Sequence, residues 1–222
     1  MSDGWSVHDS FGDAGGFHAA DPAPVRSATF HAVTTPTLVL GSGQREGDVD
    51  SRVADALGIA VVKRRSGGGA VLLIPDEFVW LDLVIPALDP LWDDDVARAM
   101  AWVGELWQRA LGDLGLATAV NQGGTVLNAT WSRQVCFAGL GYGEVVQGER
   151  KVAGVSQRRT RVAARFQSLC HLRWRPELVA ALVAAPRPLA TDLVALVATV
   201  AAPCSAVREA LVRQLPALQS VK

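Results

Sequence analysis

Two segments of the chain carry residue types that can bind and polarise a carbonyl or phosphoryl oxygen. In the first, three consecutive glycines between two predicted strands leave main-chain N–H groups open to close approach by a ligand. In the second, Lys151 follows a predicted turn and can aim one ammonium at such an oxygen, with Gly154 and Ser156 beside it. A flexible hairpin tip and a surface lysine are the alternatives for these segments. The first segment comprises Arg65, Ser66, Gly67, Gly68, Gly69 and Ala70.

Lysine is scarce in this chain, which has three lysines, at positions 63, 151 and 222, against 18 arginines. A lysine kept inside the chain therefore raises the question of a chemical role. As a residue that follows a turn, Lys151 is expected to contribute little to stability, so Lys151→Ala should remove activity and leave the fold intact. A Cβ at Gly68 is expected to obstruct ligand binding more than it lowers the melting temperature.

The three cysteines differ in their predicted surroundings. An odd number without a CxxC pair disfavours disulfides and a metal site, and it is typical of the reducing cytosol. Cys170 and His171 point to opposite faces of a predicted strand, and Cys170 belongs to the apolar face. Cys204 precedes a predicted helix at the far end of the chain. Cys136 lies in a glycine-rich loop shortly before Lys151, whose ammonium can activate a thiol, so Cys136 is the candidate nucleophile.

The elements that must position these residues are predicted from hydrophobic periodicity and from glycine and proline positions. Residues 1–25 show no sustained period and are predicted as loop or a poorly formed first helix. Strands are predicted at 37–41, 59–65, 70–73, 78–86 and 165–174, with a hairpin at 144–154. Helices are predicted at 48–57 and 94–114, and from positions 176, 188 and 205 onward. Together these elements predict an α/β or α+β fold, with a mixed β-sheet flanked by helices.

Composition limits the classes of protein to which the chain can belong. Of its 222 residues, 50% are hydrophobic and 19% are charged, which is enough apolar material for the core of a single domain over 1–222. Residues 176–222 form its predicted helical C-terminal part. The net charge of −1 argues against binding to nucleic acid or to a membrane surface. No secretory signal and no membrane span is predicted, so we expect a cytoplasmic protein.

Three stretches of the chain resemble the biotin/lipoate protein ligase superfamily. They are PTLVLGSGQ at 36–44, VVKRRSGGGAV at 61–71 and GERKVAGVSQRR at 148–159. The resemblance implies a mixed sheet of the kind found in biotin/lipoate ligase catalytic domains. It also implies that residues 65–70 and Lys151, with Gly154 and Ser156 alongside, line a pocket for an acyl group and its activated carbonyl.

Two branches of this superfamily differ in how they activate the acyl group. Lipoate–protein ligases form lipoyl-adenylate from lipoate and ATP, with Mg, whereas octanoyltransferases and amidotransferases use no cofactor and hold the acyl chain as a cysteine thioester. Cys136 stands fifteen residues before Lys151, a spacing similar to that of the octanoyltransferase cysteine, and GVSQRR at 154–159 resembles the amidotransferase sequence. The chain also ends near residue 222, without the accessory domain of complete ligases. These features favour the second branch.

The resemblance therefore implies transfer of octanoyl or lipoyl groups to a specific lysine of a lipoyl carrier domain, through a Cys136 thioester that Lys151 stabilises. The implied donor is octanoyl carrier protein or the glycine-cleavage H protein, and the implied acceptors are lipoyl domains of 2-oxoacid dehydrogenase complexes. An ATP-dependent lipoate–protein ligase is the alternative. A non-catalytic acyl-carrier-binding paralogue is a further alternative, because Leu73 and Ile74 stand where many relatives have His-Asp.

Overall fold

The computed structural model describes residues 4–123 and 130–217. Its strands are β1 Ser6–Gly12, β2 Ser27–Val33, β3 Thr37–Leu40, β4 Ala60–Lys63, β5 Val71–Leu73, β6 Phe78–Pro86, β7 Ala119–Val120, β8 Val145–Gln147, β9 Arg150–Arg159 and β10 Ala163–His171. Its α-helices are α1 Ala14–Ala19, α2 Ser51–Ala56, α3 Ala101–Asp113, α4 Pro176–Leu182, α5 Ala190–Val194 and α6 Cys204–Arg213. Short 3₁₀ turns lie at Glu46–Asp48, Arg98–Met100 and Cys136–Ala138.

The strands form two sheets. The larger has the order β1-β2-β6-β10-β9-β8-β7, and its neighbours are antiparallel except for the parallel pair β1 and β2. The smaller has the order β4-β3-β5, with β3 parallel to β4 and antiparallel to β5. Both sheets are therefore mixed, and helices flank them, in agreement with the predicted fold class.

Strand β6 lies inside the larger sheet and is buried from Phe78 to Ile85. Its alternate residues from Val79 to Ile85 join a core cluster with the buried faces of α3 and α6. Phe78 and Trp80 belong to a second cluster, which includes residues of β3 and β5 from the smaller sheet. Because both faces are covered, the hydrophobic alternation of this strand is weak in the sequence.

Helix α3 forms because apolar side chains recur every three or four residues. Val103, Trp107 and Ala110 are among its buried residues, and Gly115 ends the helix with φ +81°. The helix begins later than the predicted position 94. Asp95 Oδ1 accepts the main-chain N–H groups of two following residues, and a 3₁₀ turn then leads into α3.

Strand β1 corrects the prediction of loop or a poorly formed first helix for residues 1–25, whereas the six-residue helix α1 agrees with it. Strand β1 pairs with β2 along its full length, from Ser6 beside Ser27 to Gly12 beside Val33. It is an edge strand whose residues are all at least partly exposed, so it carries no apolar alternation that the sequence could reveal. Its pairing with a strand fifteen or more residues away defines it.

The C-terminal helices α4, α5 and α6 begin close to the predicted positions 176, 188 and 205. Proline at the first position of α4 fits the start of a helix, where its missing N–H costs nothing. Within residues 4–123 and 130–217, no helix is both long and apolar enough to cross a membrane.

Candidate active site

A cavity of about 300 Å³ is lined by both sheets. The smaller sheet contributes residues of β3 and β5, and the larger contributes residues of β6, β9 and β10. The glycine turn after β4, the 3₁₀ turn at Cys136 and His18 of α1 also line it. The cavity is large enough for a small organic ligand. Its apolar lining includes Val39, Val71, Leu73, Trp80 and Leu169, and its polar lining includes Glu144, Ser156, Gln157 and Gln167.

Arg64, which directly follows β4, fixes the glycine turn beside this cavity. Its buried guanidinium donates to the carbonyl oxygens of Val39 at 3.2 Å, Gly67 at 2.7 Å and Gly69 at 2.8 Å. Among the described residues, the N–H groups of Gly67, Gly68 and Gly69 have no hydrogen-bond acceptor. The turn therefore offers unpaired main-chain donors, and two of these glycines, Gly67 and Gly68, line the cavity.

Close backbone approach explains why this turn needs glycine. Gly68 has φ +97°, and a Cβ on Gly69 would lie 2.7 Å from main-chain atoms of Val135 and Cys136. A Cβ on Gly41, which follows β3, would lie 1.8 Å from the carbonyl oxygen of Gly68. The missing side chains let the Cys136 loop and the end of β3 pack directly on the turn.

Two main-chain hydrogen bonds hold the Cys136 loop against the glycine turn. The N–H of Ala70 donates to the carbonyl oxygen of Gln134 at 2.8 Å, and the N–H of Cys136 donates to the carbonyl oxygen of Ala70 at 3.0 Å. The predicted binding residue Ala70 is itself buried. It therefore contributes its main chain, which places the thiol of Cys136 next to the glycines.

Lys151, near the start of β9, brings its ammonium to the Cys136 thiol. Its Nζ lies 4.0 Å from Cys136 Sγ and donates to the carbonyl oxygens of Cys136 and Gly139, each at 3.1 Å. Nζ also lies 4.9 Å from the ring centroid of Phe137. The structure thus brings together the two residues that the sequence marked as candidate catalytic groups. An ammonium in this position can stabilise negative charge on the sulfur.

Lys151 is buried, with 1% of its surface exposed, and its carboxylate partner is Glu144, whose Oε1 lies 2.8 Å from Nζ. Burial by itself lowers the pKa of Lys151, but the charges of Cys136 and Glu144 together outweigh it and raise this pKa above its ordinary value. The side chain therefore keeps its proton at neutral pH. This burial corrects the expectation that Lys151→Ala leaves the fold intact, because the substitution would leave the buried carboxylate of Glu144 without its cation.

Glu144 is a site residue that the sequence analysis did not identify. It is 5% exposed and lines the cavity. Its carboxylate accepts the main-chain N–H groups of Gly141 at 2.7 Å and Val155 at 3.2 Å. Glu144 directly precedes β8, and the pairing of β8 with β9 folds it back beside Lys151. The sequence contained one signal for this residue. In the predicted hairpin, its carboxylate lies on the opposite side of the turn from Lys151, and lysine is scarce in this chain.

Ser66, Ser156 and Gly154 lie where the two predicted motifs meet. Ser66 is buried, and its Oγ lies 3.1 Å from Ser156 Oγ, so this contact joins the glycine turn to β9. Gly154 lines the cavity, and a Cβ there would lie 3.2 Å from Lys151 Cε. Its lack of a side chain leaves room for the ammonium. The substrate-binding roles of these residues stay predictions.

Arg65 lies apart from the other predicted site residues. Its side chain is 44% exposed and pairs with Asp21 at 2.9 Å, and Arg158 pairs with the same carboxylate. The arginine that lines the cavity is its neighbour Arg64. Successive residues at the end of a strand point in opposite directions, and the sequence did not show which of the two points inward.

The other two cysteines are not part of the described cavity lining. Cys170 is fully buried, and burial raises the pKa of its thiol to about 12. Cys204 is exposed at the start of α6. His171, on the opposite face of β10, is also buried, and burial together with the charge of Lys151 lowers its pKa to about 3. The predicted separation of Cys170 from His171 agrees with these positions.

A second buried carboxylate, Asp82 of β6, lies next to the cavity wall. It accepts the Nε–H of Arg165 at 2.8 Å and the Nε1–H of Trp80 at 2.7 Å, and His31 Nε2 lies 3.1 Å away. Trp80, which lines the cavity, stacks on His18 with ring centroids 4.7 Å apart. Burial lowers the pKa of His18 to about 4, so this side chain is neutral at pH 7. The Asp82 cluster thus supports one wall of the cavity.

The sequence matches the family model of the lipoyl protein ligase A/B catalytic domain over residues 19–193. The matched range includes the glycine turn, Cys136, Glu144, Lys151 and every residue of the described cavity lining except His18. No curated protein matches the chain significantly.

Several solved structures share this fold at low sequence identity. Lipoate-protein ligase A bound with ATP has a TM-score of 0.71 and 18% identity, with 96% of this chain and 84% of that chain covered. The bi-partite lipoate protein ligase of Thermoplasma acidophilum, described with its E2 lipoyl domain, has a TM-score of 0.70 and 18% identity, covering 94% and 80%. LipL1 of P. falciparum in complex with lipoate has a TM-score of 0.66 and 9% identity, covering 95% and 61%. These likenesses confirm the predicted fold class.

Proposed function

Because this chain belongs to the lipoyl protein ligase A/B catalytic domain family, as its motifs indicated, we propose that it transfers octanoyl or lipoyl groups through a thioester on Cys136. The observation that carries the proposal is the position of the thiol. Its Sγ lies 4.0 Å from the Lys151 ammonium, at the wall of a mostly apolar cavity. A thiol beside an ammonium is a typical acyl-transfer nucleophile, whereas an adenylate-forming reaction needs no cysteine.

In the first step, the Cys136 thiolate attacks the carbonyl carbon of the donor thioester and a new C–S bond forms. The carbonyl electrons move onto oxygen, and the unpaired N–H groups of residues 67–69 stabilise this oxyanion. Collapse then breaks the C–S bond to the donor, whose sulfur leaves with the electron pair and takes up the proton that Cys136 lost. The acyl group remains on Cys136 as a thioester.

In the second step, the neutral amine of the acceptor lysine attacks the same carbonyl carbon, and a C–N bond forms. The bond to Cys136 Sγ breaks, and the sulfur keeps the electron pair and takes up the proton that the amine gives up as the amide forms. Lys151 stabilises the returning thiolate through its charge, because its Nζ lies 4.0 Å from the sulfur. The enzyme therefore ends each cycle in its starting state.

The apolar lining of the cavity is the proposed place for the acyl chain. Val39, Val71 and Leu73 of the smaller sheet and Trp80 and Leu169 of the larger sheet contribute to it. Each methylene buried there contributes about 0.8 kcal/mol to binding. The proposed donor is octanoyl carrier protein or the glycine-cleavage H protein. Lipoyl domains of 2-oxoacid dehydrogenase complexes are the proposed acceptors, and the fold relative described with an E2 lipoyl domain supports this class.

Intact mass spectrometry of the full chain tests the proposal. Incubation with octanoyl carrier protein should add one octanoyl group to the protein, and a lipoyl domain added afterwards should receive it without ATP. A parallel reaction supplies octanoate or lipoate with ATP and Mg. A product that forms only with ATP would assign the chain to the ligases, the class of the fold relative bound with ATP. No product in either reaction would support acyl-carrier binding without catalysis.

A matched pair of variants tests the thioester itself. Cys136→Ser should lose both the octanoyl adduct and the transfer. Cys204→Ser replaces an exposed thiol outside the described cavity lining and should keep both. Full activity of Cys136→Ser without ATP would remove the covalent mechanism.

A further inference from the structure

The ammonium of Lys151 has no N–H group left for a substrate. Its three N–H groups have three near acceptors, Glu144 Oε1 at 2.8 Å and the carbonyl oxygens of Cys136 and Gly139 at 3.1 Å. The Cys136 sulfur, at 4.0 Å, is a more distant fourth neighbour. Lys151 therefore acts on the sulfur and on a bound acyl group through its charge, and the charges around it decide what the site attracts.

Glu144 cancels the charge of Lys151 at the point where an acyl donor must approach. Arg64 and Glu144 are the side chains with a formal charge at pH 7 on the described cavity lining, because burial holds His18 neutral. Arg64 directs its guanidinium at main-chain carbonyls of the glycine turn. With Cys136 as the thiolate, the charges of Cys136, Lys151, Glu144 and Arg64 sum to about zero, and without Glu144 they would sum to about +1, which would favour anionic reagents.

We propose that Glu144 is a specificity-determining and positioning residue, which holds the Lys151 ammonium beside Cys136 and, by offsetting one of the two cationic charges there, favours uncharged acyl donors over anionic ones. Thioesters belong to the first class, and acyl phosphates, acyl adenylates and free carboxylates belong to the second. The inference rests on the proposed thioester function and names its substrate class. The two main-chain N–H groups that Glu144 accepts keep the carboxylate at the cavity wall.

The magnitude of this selection follows from Coulomb's law. Two unit charges about 6 Å apart, in surroundings with an effective dielectric constant of about 20, change an affinity by roughly 100-fold. Partial exposure and salt reduce this factor. We therefore expect the loss of the Glu144 charge to change the discrimination between neutral and anionic reagents by about tenfold.

Alkylation of Cys136 measures this discrimination without any acyl transfer. The full chain is treated at neutral pH with neutral iodoacetamide or with anionic iodoacetate, and the rates at Cys136 and at exposed Cys204 are followed by peptide mass spectrometry. The ratio of the two rates at one cysteine cancels its thiolate fraction, because both reagents attack the same thiolate. Cys204 is the internal reference for each protein preparation, and the preference is compared between variants at Cys136.

Variants assign this preference to Glu144. Glu144→Gln should lower the iodoacetamide preference at Cys136 about tenfold, whereas Glu144→Asp, which keeps the charge, should retain most of it. The matched control is Glu149→Gln, an exposed carboxylate in the β8–β9 turn, which should change the ratio less than twofold. An unchanged ratio in Glu144→Gln would overturn the proposal.

The double variant Lys151→Met with Glu144→Gln keeps the proposal testable if Glu144→Gln alone does not fold, because it leaves neither member of the buried pair without its partner. It removes one positive and one negative charge, so its ratio at Cys136 should stay within about threefold of the wild-type ratio. A rise of about tenfold in the iodoacetamide preference would mean that Lys151 alone sets the ratio and would overturn the inference. Failure of the thioester function is distinguishable, since it would remove acyl transfer in the mass-spectrometric assay and leave the reagent ratio at Cys136 unaffected.

Discussion

Two carboxylates are buried near the cavity, Asp82 with 3% and Glu144 with 5% of its surface exposed, and they serve different ends. Asp82 accepts hydrogen bonds from Arg165 and Trp80, which hold strands of the larger sheet and the cavity wall together. Glu144 pairs with Lys151, whose ammonium also lies 4.0 Å from the thiol of Cys136. The same chemical pairing is structural in one place and adjoins the candidate nucleophile in the other.

The difference lies in what stands next to the cation. Burial by itself raises the pKa of Asp82, but His31 and Arg165 outweigh it and lower that pKa, so the carboxylate stays ionised within a closed set of partners. The ion pair of Lys151 is open on one side, because the sulfur of Cys136 and the cavity adjoin it. A buried charge pair therefore indicates a functional site when a group that can change its charge or form a bond shares its environment.

The largest effect is expected at the open pair. Lys151→Met should lower acyl transfer by at least about 10²–10³-fold, because no other ammonium reaches the sulfur among the described residues. It should also destabilise the fold by about 3–5 kcal/mol, because Glu144 is left buried without its cation. Lys151→Arg should fail as well, since a planar guanidinium does not fit three acceptors arranged for an ammonium. Single-turnover transfer and urea unfolding measure the two losses.

The double variant Lys151→Met with Glu144→Gln separates the two effects. Removal of both charges should restore much of the free energy of unfolding and none of the transfer. Substantial transfer by any variant without Lys151 would contradict its proposed role.

A substitution in the closed cluster should affect stability alone. Asp82→Asn removes the charge that faces Arg165 and should cost about 3–5 kcal/mol of unfolding free energy. Urea unfolding measures this cost, and the iodoacetamide rate at Cys136 should change less than about twofold. The control is Asp9→Asn, which breaks an exposed pair with Arg208 and should cost at most about 1 kcal/mol. A large change in Cys136 reactivity in Asp82→Asn would mean that the two clusters are coupled.

Acid should destabilise the protein through its buried neutral histidines. The folded-state pKa is about 4 for His18 and about 3 for His171, each lowered mainly by burial from 6.5. Below pH 6.5 the unfolded chain binds protons that the folded chain does not, so the unfolding free energy is full above this pH and falls as the pH drops toward 4 and 3. Each histidine should account for a loss of the order of 3 kcal/mol.

Urea unfolding between pH 7 and pH 4 measures this dependence. His171→Gln should reduce the slope of unfolding free energy against pH by about the contribution of one proton. His8→Gln, at an exposed position of β1, is the matched control variant. A wild-type slope in His171→Gln would show that the histidine is charged in the folded protein.

The smallest effect is expected in the glycine turn. Gly67→Ala adds a Cβ with no heavy atom within 4 Å and should keep the melting temperature while it weakens acyl-donor binding about fivefold, as for one lost hydrogen bond. Gly68→Val cannot serve this purpose. Gly68 has φ +97°, and its Cβ would lie 2.9 Å from Arg64 Nη2, so stability and binding should fall together. Unchanged binding in Gly67→Ala would favour a purely structural turn.

Much of the fold could be predicted because its signals are local. The strand predicted at 78–86 agrees with β6, and the proline at 176 begins α4 as expected. Strand β1 was missed, because an edge strand with at least partly exposed residues is defined by its pairing with β2 and by no pattern of its own. Helix α3 begins later than predicted, because the Asp95 side chain accepts a hydrogen bond from a main-chain N–H group before the helix begins.

The sequence by itself determined the chemical groups of the candidate site. They are a glycine turn with exposed main-chain donors, a scarce lysine and a cysteine in a glycine-rich loop. Residue type and strand alternation were enough to separate Cys136 from buried Cys170. Only the tertiary structure decided that Arg64 and not Arg65 lines the cavity and that Glu144 accompanies Lys151. These relations depend on which strands pair and on the direction of each side chain, and contacts between distant segments leave no periodic trace in the chain.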